Sequence, residues 1–236
     1  MACILHIETS GTACSVALSD RGSVIFHKED TDQHNHARVL APFCDEAMSF
    51  ADSHALPLDA VAVSRGPGSY TGLRIGVSTA KGICYARGLK LIAVDTLSLI
   101  CVPSLLGEKI PENALICPMI DARRMEVYST ILDRGLKTVR GVQADIVTTE
   151  TYREWLDCQP VYFLGNGAMK CKNIINHPNA HFIDGQEPLA KNMMPLAEMA
   201  LLRGQTEDVA YFEPFYLKEF EVKKSQNPLL QVMEKS

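Results

Sequence analysis

Ser64-Arg65-Gly66-Pro67-Gly68-Ser69-Tyr70-Thr71-Gly72-Leu73-Arg74-Ile75-Gly76 joins a strand-like apolar run, Leu58 to Val63, to a segment of helical spacing, Thr71 to Arg87. Gly66 and Gly68 allow backbone angles closed to other residues, Pro67 stiffens the turn, and Ser69 or Thr71 can cap the helix that follows. The unit is strand, glycine turn, helix. It returns downstream, where Val161-Tyr162-Phe163-Leu164-Gly165-Asn166-Gly167 leads into a helix predicted from Ala168.

Working outward, Cys3 to Ile7 is an apolar run that reaches Glu8 and the small polar turn Thr9-Ser10-Gly11-Thr12. A second run, Cys14 to Leu18, meets the hairpin signal Asp20-Arg21-Gly22, and Ser23 to Phe26 returns. A helix over 36–52, the strand at 58–63, the helix at 71–87 and a strand at 89–94 complete the order βββαβαβ. The chain then begins again at one constant offset. Ile120-Asp121, Glu126 to Leu132 and Asp133-Arg134-Gly135 answer to Ile7-Glu8, Ala13 to Ser19 and Asp20-Arg21-Gly22. Two similar lobes are the simplest account. The predicted fold class is α/β, a duplicated actin-like or RNase H-like plan in which each lobe has a mixed sheet and flanking helices. The predicted boundaries are 1–106 for the first lobe, 107–218 for the second and 219–236 for a tail of mixed charge.

In working ATPases of that architecture the first strand of each lobe delivers an acid into the cleft. Glu8 and Asp121 stand at those two places. Hard oxygen ligands suit magnesium and its water against nucleotide phosphates, so Glu8, Thr9, Ser10, Asp121, Gly165 and Gly167 form a candidate nucleotide cleft. The plainer reading makes each acid a cap at a strand end. An actin-like ATPase or kinase using Glu8 and Asp121 with magnesium therefore stands as the alternative function.

Other chemistry finds less support. The turn at 64–76 lacks the Gly-Lys-Ser/Thr of a phosphate loop and the last glycine of GxGxxG. His34-Asn35-His36 lacks a third metal ligand. His177-Pro178-Asn179-Ala180-His181 matches HxxxH, but Pro178 and the strand-like residues after it favour a loop. The chain has 23 basic and 28 acidic residues, a net charge of −5. That balance argues against binding nucleic acid alone by phosphate attraction. No apolar run reaches the roughly 18 residues of a membrane span, and the start lacks the basic flank of a signal peptide, so a cytoplasmic location is expected. The eight cysteines, without a CxxC pair, read as buried thiols.

The two long helices carry more apolar surface than one sheet covers. On the second, Leu73, Val77, Ala80 and Cys84 form a sheet-facing stripe at about 100° per residue. Gly72, Ile75, Gly76, Thr79, Gly82, Ile83 and Ala86 fill a further uncharged arc. The first helix has a similarly wide arc that includes Val39, Leu40, Phe43 and Ala47. Small residues at such spacing let another helix approach closely. That helix can be the neighbour in the same chain or one from a partner.

With these pieces assembled, the chain resembles the TsaB (YeaZ) family, the non-catalytic dimerisation subunits of the bacterial machinery that makes threonylcarbamoyl-adenosine in tRNA. The matching residues are Ile4 to Ser10 with Cys14 to Leu18, His36 with Leu40-Ala41-Pro42, and Arg65 to Gly76. Ile120 to Arg123, Glu126-Val127-Tyr128, Gly165-Asn166-Gly167 and Glu213 to Leu217 also match. Tyr70 stands where the family has phenylalanine. The resemblance implies a scaffold subunit that is not itself an enzyme, meeting its partner through the helices at 36–52 and 71–87, on whose arcs Val39, Leu40, Phe43, Ala47, Gly72, Ile75, Gly76, Thr79 and Ile83 are the expected contacts. It implies a TsaD-type catalytic paralogue or a second copy as that partner, and a TsaE-type P-loop ATPase that joins the pair. Nucleotide would be held near the shared interface, with none bound tightly by this chain alone, and tRNA would be met only indirectly. The metal-binding HxxxH of the catalytic paralogue has no counterpart over 96–106, so no metal site is expected.

Overall fold

The computed structural model describes residues 2–32, 35–107 and 110–218. His34 and the tail from residue 219 lie outside them. The first lobe contains β1 (Ile4–Glu8), β2 (Cys14–Asp20), β3 (Ser23–Asp30), α1 (His36–Ser53), β4 (Ala60–Gly66), α2 (Tyr70–Arg87) and β5 (Lys90–Asp95), followed by α3 (Thr96–Gly107). The second contains β6 (Leu115–Asp121), β7 (Glu126–Leu132), β8 (Thr138–Ile146), α4 (Arg153–Leu156), β9 (Val161–Leu164), α5 (Ala168–Cys171) and β10 (Ala180–Ile183). A 3-10 turn at Ala190–Asn192 leads into α6 (Met194–Leu202).

The sheets share one plan, β3-β2-β1-β4-β5 in the first lobe and β10-β9-β6-β7-β8 in the second. Within each, the first three strands are antiparallel and the first, fourth and fifth parallel. The duplicated actin-like order read from the sequence is thus the observed one, and Glu8 and Asp121 end equivalent strands. The halves differ in their helices. Each of α1 and α2 has 18 residues, whereas α4 and α5 have 4.

Central strands buried on both faces read as continuous apolar runs, because neither face is left to water. Leu5, Ile7, Val16, Leu18, Val61 and Val63 turn one face of the first sheet to α1 and α2. Ile4, Ala60, Ala62, Ile92 and Val94 turn the other to Leu99, Met193 and Ala197. Helix α3 lies between the sheets, since Leu97, Ile100 and Cys101 of the same helix join Ile116, Ile120 and Leu164 of the second. Every cysteine except Cys158 is buried.

The chain after β10 returns to the first lobe: the Ala190 amide donates to Ser15 Oγ at 2.9 Å, Glu207 bridges Leu91, and the Phe215 amide donates to the Arg65 carbonyl at 2.6 Å. Of residues 190–215, expected in the second lobe, Met193, Leu196, Ala197, Ala200 and Leu201 cover the apolar second face of the first sheet, while Val209 and Phe212 join the core on its α1–α2 side. The second face would otherwise stand open to water.

Candidate functional site

The β4–α2 turn is built against the loop that follows β1. Ser69 caps α2, its Oγ accepting from the Gly72 amide at 3.2 Å, and its own amide donates to the Ser10 carbonyl at 2.9 Å. Gly66, at φ +112°, lies where a side chain would strike the Phe215 carbonyl. A Cβ on Gly68 would stand 2.6 Å from the Ser10 carbonyl oxygen. One on Gly72 would overlap the Thr9 carbonyl, and one on Gly76 the Thr9 hydroxyl. Thr9 Oγ1 donates to the Gly72 carbonyl at 2.8 Å. Gly66, Gly68 and Gly72 serve a close approach of backbone to backbone, and Gly76 makes room for the Thr9 hydroxyl.

Part of the expected partner face is therefore interior. Gly72 and Gly76 are buried under Thr9. Leu40 and Ala47 are buried in the core between α1 and the sheet. Helical period groups residues by direction, but it does not say what lies opposite them. Val39, Phe43, Ile75, Thr79 and Ile83 remain half-buried, and Gly82 and Ala86 are exposed beside them. Thr79 Oγ1 donates to the Ile75 carbonyl at 2.9 Å, which occupies its proton within the helix. Charged pairs rim this strip: Arg87 with Asp52 through bonds of 3.2 and 3.1 Å, and Lys28 with Glu46 at 2.5 Å. At its N-terminal end a shallow cavity of about 410 Å³ is lined by Tyr70, Thr71, Arg74 and Ile75. The Tyr216 ring packs 4.6 Å from that of Tyr70, an aromatic pair that periodicity could not have found because residues far apart in the chain supply it.

The six expected cleft residues fall into two separate sets. Glu8, Thr9 and Ser10 are buried. The Glu8 carboxylate accepts from the Ser10 amide and Ser10 Oγ, each at 2.5 Å, and from Ser64 Oγ. Burial pushes its pKa up from 4.5 to about 7, against the opposing pull of those serine hydrogen bonds. Asp121 is exposed. It accepts from Lys170 Nζ at 2.6 Å and from the Arg123 amide at 2.7 Å. Gly165, at φ +94°, and Gly167 are buried against Met119 and Ile120, where a side chain would clash. Both glycines thus have a packing reason, matching that of Gly66 and Gly68 in the first lobe. No hydrogen bond or ion pair joins the Glu8 set to the Asp121 set among the described residues.

His6, His177 and His181 each meet a neighbour within the fold. His6, fully buried, contacts Ser19 Oγ at 2.7 Å through Nε2, and burial lowers its pKa to about 3. His177 lies in a loop 3.3 Å from Asp157, while His181 stacks on Tyr162 from β10. Among the described residues no group of three or more His, Cys, Asp or Glu side chains is placed to hold a metal ion. Nor is any helix among them long and apolar enough to cross a membrane.

Comparison with known proteins covers most of the chain. The family model described as TsaD, tRNA N6-adenosine threonylcarbamoyltransferase, matches residues 29–225. The tRNA threonylcarbamoyladenosine biosynthesis protein TsaB of Escherichia coli (strain K12) is 30% identical over 228 residues, covering 91% of this chain and 94% of that protein. The Haemophilus influenzae protein of the same name is 27% identical over 224 residues, with 91% and 93% covered. Among solved structures, YeaZ from Pseudomonas aeruginosa has a TM-score of 0.76 at 25% identity, covering 92% of this chain and 100% of that one.

Proposed function

Because the chain belongs to the TsaB family and to the wider family of the TsaD model, we propose that it takes part in forming threonylcarbamoyl-adenosine in tRNA as a non-catalytic subunit. It pairs with a TsaD-type catalytic protein through the strip between α1 and α2. The observation that carries this reading is the strip itself. Val39, Phe43, Ile75 and Ile83 pack against the core yet remain part-exposed, with Gly82 and Ala86 beside them and ion pairs at the rim. An apolar centre with a polar rim is the anatomy of a protein interface. A partner of standard size would bury about 800 Å² on this side, within reach of two 18-residue helices.

The non-catalytic part of the reading is supported by how the two strand-end acids are occupied. Glu8 faces two serines in the interior, and Asp121 is held by Lys170. A TsaE-type ATPase, a second copy of the chain and nucleotide at the shared interface belong to the same proposal.

The test is co-elution of the full chain with the TsaD-type partner. Ile75→Asp places a charge in the centre of the strip and is expected to abolish pairing while the monomer stays folded. Stable co-elution of that variant would refute the reading. Calorimetry with ATP and magnesium checks the other possibility. Tight binding by the isolated chain, with turnover lost in Asp121→Asn, would favour an ATPase.

A further inference from the structure

Three consecutive residues at the end of β1 hold three parts of the unit that carries the partner strip. Glu8 is tied to β4 through Ser64 Oγ and folds the loop back on itself through Ser10. Ser10 accepts the Ser69 amide at the start of the helix cap. Thr9 lies over the first turns of α2, with its carbonyl against Gly72, its hydroxyl against Gly76, and that hydroxyl donating to the Gly72 carbonyl at 2.8 Å. Thr9 is 1% exposed, so no partner touches it. Three fixed points on strand, turn and helix leave α2 little freedom to tilt or slide relative to the sheet. Interiors are close-packed and transmit displacement, so a shift at Gly72 and Gly76 is carried to Ile75 and Thr79 on the same turns. At α1 the capping residue Asn35 makes no side-chain cap bond.

We propose that Thr9 is a positioning residue for the partner face: it sets the height and rotation of α2 on the sheet, and through them the fit of Ile75, Thr79 and Ile83 to the partner. The inference rests on the reading that α2 meets the partner. The glycines at 72 and 76 are, in this account, the seat that lets Thr9 reach the helix backbone. The loop that ends β1 thereby governs affinity at a surface it does not share.

The test compares Thr9→Val, which keeps the shape and removes the donor, with Thr9→Ser, which keeps the donor. Dissociation constants for the TsaD-type partner and thermal midpoints are measured on the full chain, with Ile75→Asp as control. Thr9→Val is expected to weaken pairing about 5- to 10-fold, within the range by which a residue that touches no partner modulates coupling, while Thr9→Ser stays within about 2-fold of the parent. A Thr9→Val protein that melts lower but binds as the parent would show that the hydrogen bond serves the fold alone, and would overturn the proposal. Should Thr9→Val fail to fold, Gly76→Ala perturbs the same contact from the helix side and is read by the same criterion. If Ile75→Asp leaves pairing intact, α2 is not the partner face and both readings fail. If it weakens pairing and Thr9→Val does not, only the positioning role is lost.

Discussion

Substituting alanine at Gly72 and at Gly82, two glycines of one helix, is expected to move stability in opposite directions. Helix propensity favours alanine over glycine by about 0.5–1 kcal/mol in a helix interior. At Gly82 nothing lies within 4 Å of the added Cβ, so Gly82→Ala should realise that gain. At Gly72 the new Cβ would stand inside the Thr9 carbonyl oxygen, well below the 3.0 Å that real Cβ contacts respect. The obstacle is backbone, held by the Thr9–Gly72 and Ser10–Ser69 hydrogen bonds, so it cannot swing aside as a side chain would. Overpacking of this kind costs about 1–3 kcal/mol or more, which exceeds the propensity gain. For a chain of this size each kcal/mol shifts the melting temperature by about 2–4 °C. Gly72→Ala should therefore melt several degrees lower and Gly82→Ala one to a few degrees higher, by circular dichroism under identical conditions. A Gly72→Ala protein as stable as its parent would refute the close approach on which the placement of α2 rests.

Ile75→Asp should leave the melting temperature of the isolated chain nearly unchanged while abolishing co-elution with the TsaD-type partner; a large stability loss would instead make Ile75 a core residue. Glu8 has a folded-state pKa raised to about 7 by burial, so its contribution to stability is complete below its ordinary value near 4.5 and is lost as pH rises through about 7. The span corresponds to about 3 kcal/mol. Glu8→Gln should flatten the urea midpoint between pH 5 and 8 relative to the parent, and parallel curves would disprove a buried titrating carboxyl. In the second lobe, Arg140 Nη2 lies 2.6 Å from Asp145 Oδ2, and its guanidinium lies 5.3 Å from the Tyr152 ring and 5.5 Å from that of Trp155. Burial pushes Asp145 up, but hydrogen bonds from Arg140, Ser129 and Tyr152 outweigh it and hold the carboxyl below its ordinary range. Arg140→Met should cost about 3–5 kcal/mol by leaving that carboxylate buried without its cation. Arg140→Met/Asp145→Leu should recover part of the loss in chemical denaturation, since the buried Ser129 and Tyr152 hydroxyls then lose their carboxylate acceptor.

Much of the fold was legible in the chain because its signals are local. The hairpin signals at Asp20-Arg21-Gly22 and Asp133-Arg134-Gly135, the strand, glycine turn and helix around residue 66, and their recurrence near 165 marked the duplicated order and the strand ends. Helix bounds of 36–52 and 71–87 fell within one residue of α1 and α2. The return of residues 190–215 to the first lobe was not legible. Nothing in α6 says which of two sheets its apolar side will cover, and the need for a cover on Ile4, Ala62 and Ile92 exists only once the strands are paired.

The site divided along the same line. Periodicity placed Gly72, Ile75, Gly76 and Thr79 on one arc of α2, and that grouping follows from the sequence alone because 3.6 residues per turn fixes direction around the axis. Whether the arc faces solvent or the interior depends on what is brought opposite it. Thr9, from a loop more than sixty positions earlier, takes the side of Gly72 and Gly76, and Ile75 and Thr79 are left at the edge. Glu8 and Asp121 likewise end matching strands by sequence. Only tertiary packing made one a buried carboxyl among serines and the other an exposed partner of Lys170, since burial and ion pairing are set by neighbours distant in the chain.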